Sequence, residues 1–154
     1  MMTEEMDKND NLCDISESRD FDLCCERTPF EEKPEPQQRF IAIWSLESDV
    51  NNGGFLQYFG NSMGGTATFA ADALKDIGAP NLAAIVERAV SLAFPNGVPG
   101  DWDERAEVVN EIEEGDDELI MKFEALDDAF YEYPDDLVEL LFEFVQKHPG
   151  HFVR

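Results

Sequence analysis

The sequence predicts an all-α fold, a compact single-domain array of about six or seven helices joined by short loops. Three observations carry that expectation. Apolar residues recur at i, i+3, i+4 and i+7 through most of the chain. No segment alternates apolar and polar residues as a half-buried strand does. Proline, glycine and aspartate stand where such helices should begin or end.

Taken in order, residues 1–36 read as an acidic N-terminal arm and linker, with a short helix around Leu12 and Ile15 that is interrupted at Thr28-Pro29 and "EEKPEP". Residues 37–154 read as the helical domain. Pro36 suits a first helical turn, where its missing N–H is no loss. The wide apolar arc of Phe40, Ile41, Ile43, Trp44 and Leu46 that follows suits a central helix. Asn51-Asn52-Gly53-Gly54 predicts a helix stop and a tight reversal, because Asn and Gly tolerate positive φ. Phe55, Tyr58 and Phe59 then place a short helix on the core. "TATFAADALKDIGA" predicts a helix ending at Gly78, and Pro80 opens another with Leu82, Ile85, Val86, Ala89 and Val90 on one face. Asp101 with Glu104 has capping-box spacing, Asp116 or Asp117 caps the next helix, and Leu137, Leu140, Leu141, Phe144 and Val145 form the last stripe.

Composition bounds the function. The chain has 154 residues, 43% of them hydrophobic and twelve of them Phe, enough for a core. No apolar run is long enough to span a membrane, and "MMTEEMDKND" does not resemble a secretion signal, so a cytoplasmic protein is expected. Cys13, Cys24 and Cys25 have neither zinc nor disulfide spacing. Catalytic signatures are missing. The acid clusters fail the EF-hand pattern, since the loop beginning at Asp101 places Ala106 where glycine is needed. No enzyme activity, metal or cofactor is expected. His148 and His151, framing Pro149-Gly150, fit a helix-ending turn better than a metal site.

Charge is the strongest signal. Thirty-five acids against eleven Lys and Arg give −24. Residues 1–35 carry −8, residues 36–100 only −2, and residues 101–143 carry −16. Such a field repels nucleic acid and anionic membranes and attracts basic proteins. Concentrating it in 43 residues costs more self-repulsion than solubility requires. Asp101, Asp103, Glu104, Glu107, Glu111, Asp136, Glu139 and Glu143 are the expected phosphate-like positions of a partner-binding surface. The neutral stretch holding Asn51, Asn52, Gly53, Gly54, Phe55, Gln57, Tyr58 and Asn61 is expected to be a fold-defining hinge, its polar side chains bonding backbone at a buried bend. A polar pocket rimmed by Tyr58 and Gln57 is the functional alternative.

"VNNGGFLQYFGNS" (residues 50–62), "ALKDIGA" (73–79) and "LDDAFYEYPDDL" (126–137) together resemble the family of the neisserial-type bacterial DNA-mimic protein, over roughly residues 38–152. The Asn-Asn-Gly-Gly-Phe-x-Gln-Tyr-Phe core is the specific part, with Asp49 where members often have Glu. The resemblance implies a helical fold, a tendency to dimerise, and blocking of a transcription regulator by imitation of duplex phosphates. The leading expectation is therefore a DNA mimic that occupies the site of a basic DNA-binding protein. The alternatives are an immunity-type inhibitor of a basic toxin such as a nuclease, and a small-molecule or metal-binding domain at the Asn-Gly hinge.

Overall fold

The computed structural model describes residues 4–152. They form seven α-helices, with no strand among the described residues, which is the all-α class the periodicity predicts. The helices are α1 (Glu4–Glu17), α2 (Glu35–Gly60), α3 (Ala67–Ile77), α4 (Pro80–Ala93), α5 (Trp102–Gly115), α6 (Asp117–Tyr131) and α7 (Leu137–Lys147). The chain divides into two compact units. One runs up to Ile41 and resumes at Asp136, and the other is Ala42–Asp135.

In the first unit, α1 packs along α7. Leu12 and Ile15 are buried apolar residues of α1, with Leu137, Leu141, Phe144 and Val145 buried from α7. Phe21, Phe40 and Phe152 close a ring cluster with centroids 5.3–5.8 Å apart, within the range where offset and edge-to-face pairs attract. Between α1 and α2 the chain turns around Asp22, whose carboxylate accepts the amide N–H groups of Glu26, Arg27 and Thr28 at 2.9–3.0 Å and an ion pair from buried Lys33 at 3.3 Å. His148 lies on the Phe144 ring, with its Nδ1 2.8 Å from the Phe144 carbonyl, as a helix-ending residue would.

In the second unit, α3 and α4 meet through small residues, Ala70 and Ala73 on one helix and Ala83 and Ala89 on the other, all buried. Gly78 ends α3 at φ 94°, the left-handed cap its position predicts. Phe55, Phe59, Phe123 and Phe130 form the aromatic centre, with Phe55 edge-on to Phe130 at 5.8 Å and Phe59 to Phe123 at 6.4 Å.

The Asn-Gly stretch interrupts the helix as predicted. Gly53 (φ −162°) and Gly54 (φ 84°) leave helical geometry, so α2 is two helical segments joined by a kink. The second segment carries Phe55, Tyr58 and Phe59, and its start is capped through space: the Asp127 carboxylate, from α6, accepts the Phe55 N–H at 2.9 Å.

Candidate partner-binding surface

The signature stretch is held in place by groups far away in sequence. Asn51 donates to the Tyr133 hydroxyl at 2.8 Å, and that hydroxyl donates to Glu47 at 2.8 Å. Tyr131 donates to the Val50 carbonyl at 2.7 Å, and the Asn61 side chain acts on the Asp49 carboxyl against the burial that raises its pKa. Tyr133 sits at φ 48°, a left-handed position costly for an aromatic residue. Its two hydrogen bonds account for a tyrosine where glycine would be easier. Burial raises the pKa of Glu47, of Asp49 and of Asp127, and pushes the Tyr133 phenol up to about 12.

Of the stretch's residues, Phe55 and Tyr58 lie in the core, Gln57 and Asn61 are half-buried, and Asn51 and Asn52 are exposed. Asn51 thus bonds a side chain, where a backbone partner was expected. Tyr58 is fully buried and not at a rim. Its hydroxyl lacks a hydrogen bond of good geometry, with Thr66, Asp49 and Arg105 as the polar groups that act on it.

Arg105 is the residue that sequence reasoning passes over. It is 1% exposed and lies inside the acidic segment. Its guanidinium donates to five carbonyls, those of Phe59, Pro99, Gly100, Asn61 and Ser62, at 2.9–3.4 Å. It collects the carbonyls at the end of α2 and of the loop before α5, a task that suits a rigid five-donor fork. Trp102 adds a bond from its indole N–H to the Gly60 carbonyl at 2.6 Å. Gly64 lies so close to the Phe59 and Tyr58 carbonyls that a Cβ would stand 2.6 Å from each.

The acids divide by task. Asp101, Asp116 and Asp136 cap α5, α6 and α7, accepting the N–H of Asp103, Leu119 and Glu139 at 2.9–3.3 Å. Asp127 caps the resumed α2, and Asp135 accepts the Leu82 N–H at 2.8 Å and Asn81 at 2.9 Å where α4 begins. Glu139 is ion-paired with Lys8.

Of the eight expected phosphate-like positions, five (Asp101, Asp103, Glu104, Glu107 and Glu111) belong to α5 and its cap in the second unit. Asp136, Glu139 and Glu143 belong to α7 and its cap in the first. All but half-buried Glu139 are exposed. At about 100° per residue, Asp103, Glu104, Glu107, Glu111 and Glu114 fall within about 100° of arc on α5. They lie opposite buried Arg105, Val109 and Ile112. No ion pair touches these five among the described residues. On α6, Asp117, Glu124 and Asp128 form another exposed face around Met121, which is 69% exposed. Residues 101–135 hold fifteen acids and two bases. Since Arg105 is buried, Lys122, paired with Glu118 at 3.7 Å, is the one base of that segment facing solvent.

No group of three or more metal-binding side chains comes together among the described residues, and none of the described helices is long and apolar enough to cross a membrane. No curated protein and no solved structure matches the chain. A family model described as DMP19-like protein matches residues 31–148, which takes in the kinked helix, Arg105 and both acidic helices of the second unit. The chain belongs to the DMP19-like family, a family of DNA-mimic proteins.

Proposed function

We propose that the outward face of α5 stands in for a stretch of DNA backbone. On this reading it occupies the basic site of a DNA-binding protein, a transcriptional regulator foremost, and excludes DNA from it. The observation that carries the reading is the carboxylate arc of Asp103, Glu104, Glu107, Glu111 and Glu114, exposed and without ion pairs among the described residues. Five carboxylates over eleven residues of helix rise give about one charge per 4 Å of axis. One strand of B-DNA carries about one per 3.4 Å. A single row at i, i+4 spacing would be sparser, at about 6 Å. The arc reaches strand density because it combines neighbouring rows. The helix is also rigidly placed, with Arg105 and the Asp101 cap fixing its start.

The test is capture from native bacterial lysate with stepped salt elution, read by mass spectrometry. It is run for the wild type and for the variant Asp103→Lys, Glu104→Lys, Glu107→Lys, Glu111→Lys. The expected result is a DNA-binding protein that elutes at moderate salt and is absent from the variant, with helical circular dichroism unchanged. Its affinity should fall linearly on a log–log plot against salt, with a slope reflecting about five neutralised charges. Capture of the same protein by the variant would show the wrong surface had been chosen. A wild-type column that retains no DNA-binding protein would end the mimicry reading.

A further inference from the structure

On α7, Glu139 and Phe142 are one turn apart, and the Lys8 ammonium from α1 occupies the space they share. It is ion-paired with the Glu139 carboxylate and lies 5.7 Å from the centroid of the Phe142 ring. That distance is within cation–π reach. Lys8 is the main cause holding the Glu139 carboxyl below its usual range, and Glu143 also acts on it from the next turn. A carboxylate beside a ring face is a receptor for a lysine, and here the chain's own lysine fills it.

The helix that delivers Lys8 is weakly made. Its sequence, "EEMDKNDNLCDISE", is rich in Asp, Asn, Ser and Cys, which are poor helix formers. Between residues 7 and 17 its buried apolar side chains are Leu12 and Ile15. The family match takes in α7 but begins at residue 31, beyond α1. The receptor therefore lies within the family's matched region and its occupant outside it.

We infer that Glu139 and Phe142 form a lysine-receiving subsite for a basic partner, and that α1 is a displaceable cover whose Lys8 keeps the subsite filled until a partner's lysine replaces it. Binding then exchanges one ammonium for another at Glu139, with release of α1 from α7. The inference rests on the reading that the partner is basic. It adds a second contact region, on α7, whose access the N-terminal arm controls.

The experiment uses the full chain and a short oligolysine peptide as probe. Lys8→Gln should empty the subsite and raise oligolysine affinity about tenfold, the scale of one charge-assisted contact. Adding Glu139→Gln should cancel that gain. Lys122→Gln removes the same charge from an exposed site on α6 and should raise affinity about twofold or less. Leu12→Ala loosens the arm without altering charge and should reproduce part of the gain. In wild type, adding oligolysine should strip hydrogen-exchange protection from the amides of residues 8–17 while α7 stays protected. Equal gains from Lys8→Gln and Lys122→Gln would overturn the subsite. So would a gain that survives Glu139→Gln, or α1 protection unmoved at saturating peptide. Each of these readouts is made with the α5 face intact. Failure of the α5 reversal in lysate capture therefore sinks the mimicry reading without deciding the subsite, and failure here leaves the α5 result standing.

Discussion

The Asp127 carboxylate hydrogen-bonds the Phe55 amide at 2.9 Å, and a Cβ placed on Gly54 would stand 2.4 Å from the same carboxylate. The two facts explain each other. The helix can resume after the kink because a carboxylate caps it, and the carboxylate can reach the amide because residue 54 has no side chain. Gly54 also holds φ 84°, which an L side chain adopts only with strain.

Gly54→Ala should therefore cost about 2–4 kcal/mol in urea unfolding, from strained φ and lost capping together. Gly53→Ala should cost about 1 kcal/mol or less, because φ −162° is open to any residue and the obstructing group is the mobile end of Gln57. Combining Gly54→Ala with Asp127→Ala relieves the clash but not the φ, so little should be recovered. Equal costs at the two glycines would remove the kink from the account of this stretch.

Arg105→Met and Arg105→Lys should both be severe, about 3 kcal/mol or more, because buried carbonyls lose their donor. Lysine should not rescue, since a single ammonium cannot reach carbonyls spread from Phe59 to Ser62 and from Pro99 to Gly100. Thermal unfolding decides it. A lysine variant within about 1 kcal/mol of wild type would mean the fork geometry is unimportant.

Tyr133→Phe should destabilise in a pH-dependent way. Burial raises the folded pKa of Glu47, and the Tyr133 hydroxyl draws it partly back down. A carboxyl whose folded pKa exceeds its unfolded one contributes stability fully present below the unfolded pKa and lost as pH rises through the folded one. Removing the hydroxyl raises the folded pKa further, so the variant's deficit belongs to the ionised form. It should be about 1–3 kcal/mol near pH 7 and smaller near pH 4. A deficit that does not change with pH would mean the lost bond to Asn51, not Glu47, sets the cost.

Asp22 has the opposite sign. The amides of Thr28, Arg27 and Glu26, with Lys33, hold its carboxyl at about 2, against burial that raises it. A depressed folded pKa contributes stability present above the unfolded value of 3.8 and lost as pH falls toward about 2. The difference in urea midpoint between wild type and Asp22→Asn should thus be full at neutral pH and vanish across that acid window. A difference that persists into strong acid would assign the turn's stability to backbone geometry instead.

Much of this fold was legible because its signals are local. Apolar spacing marks α3 to α7, Gly78 marks a left-handed cap, and Asp101 and Asp116 stand one residue before the helices they cap. What the sequence hid is through-space. Asp127 looks like one more surface acid on α6 until Phe55 arrives, 72 residues away in the chain. Arg105 looks like a lone base in an acidic helix, because its carbonyl partners leave no trace in side-chain pattern. Lys8 and Glu139, 131 residues apart, cannot be paired by any periodicity. The same blindness merges capping acids and surface acids into one charge count.

Separating those two kinds of acid gives the sharpest prediction. Asp116→Ala removes a helix cap and should cost about 1 kcal/mol while leaving partner capture intact. Glu107→Gln with Glu111→Gln touches no cap and lowers the self-repulsion of the α5 face. It should hold or raise the melting temperature, by a few degrees at low salt and less at high salt. The same double variant should weaken partner binding and flatten its salt dependence by about two charges. A surface that becomes more stable as it binds less well is one whose charge is kept at the fold's expense. If the neutralised face binds as before, its acids serve solvation alone, and the charge of α5 has no part in recognition.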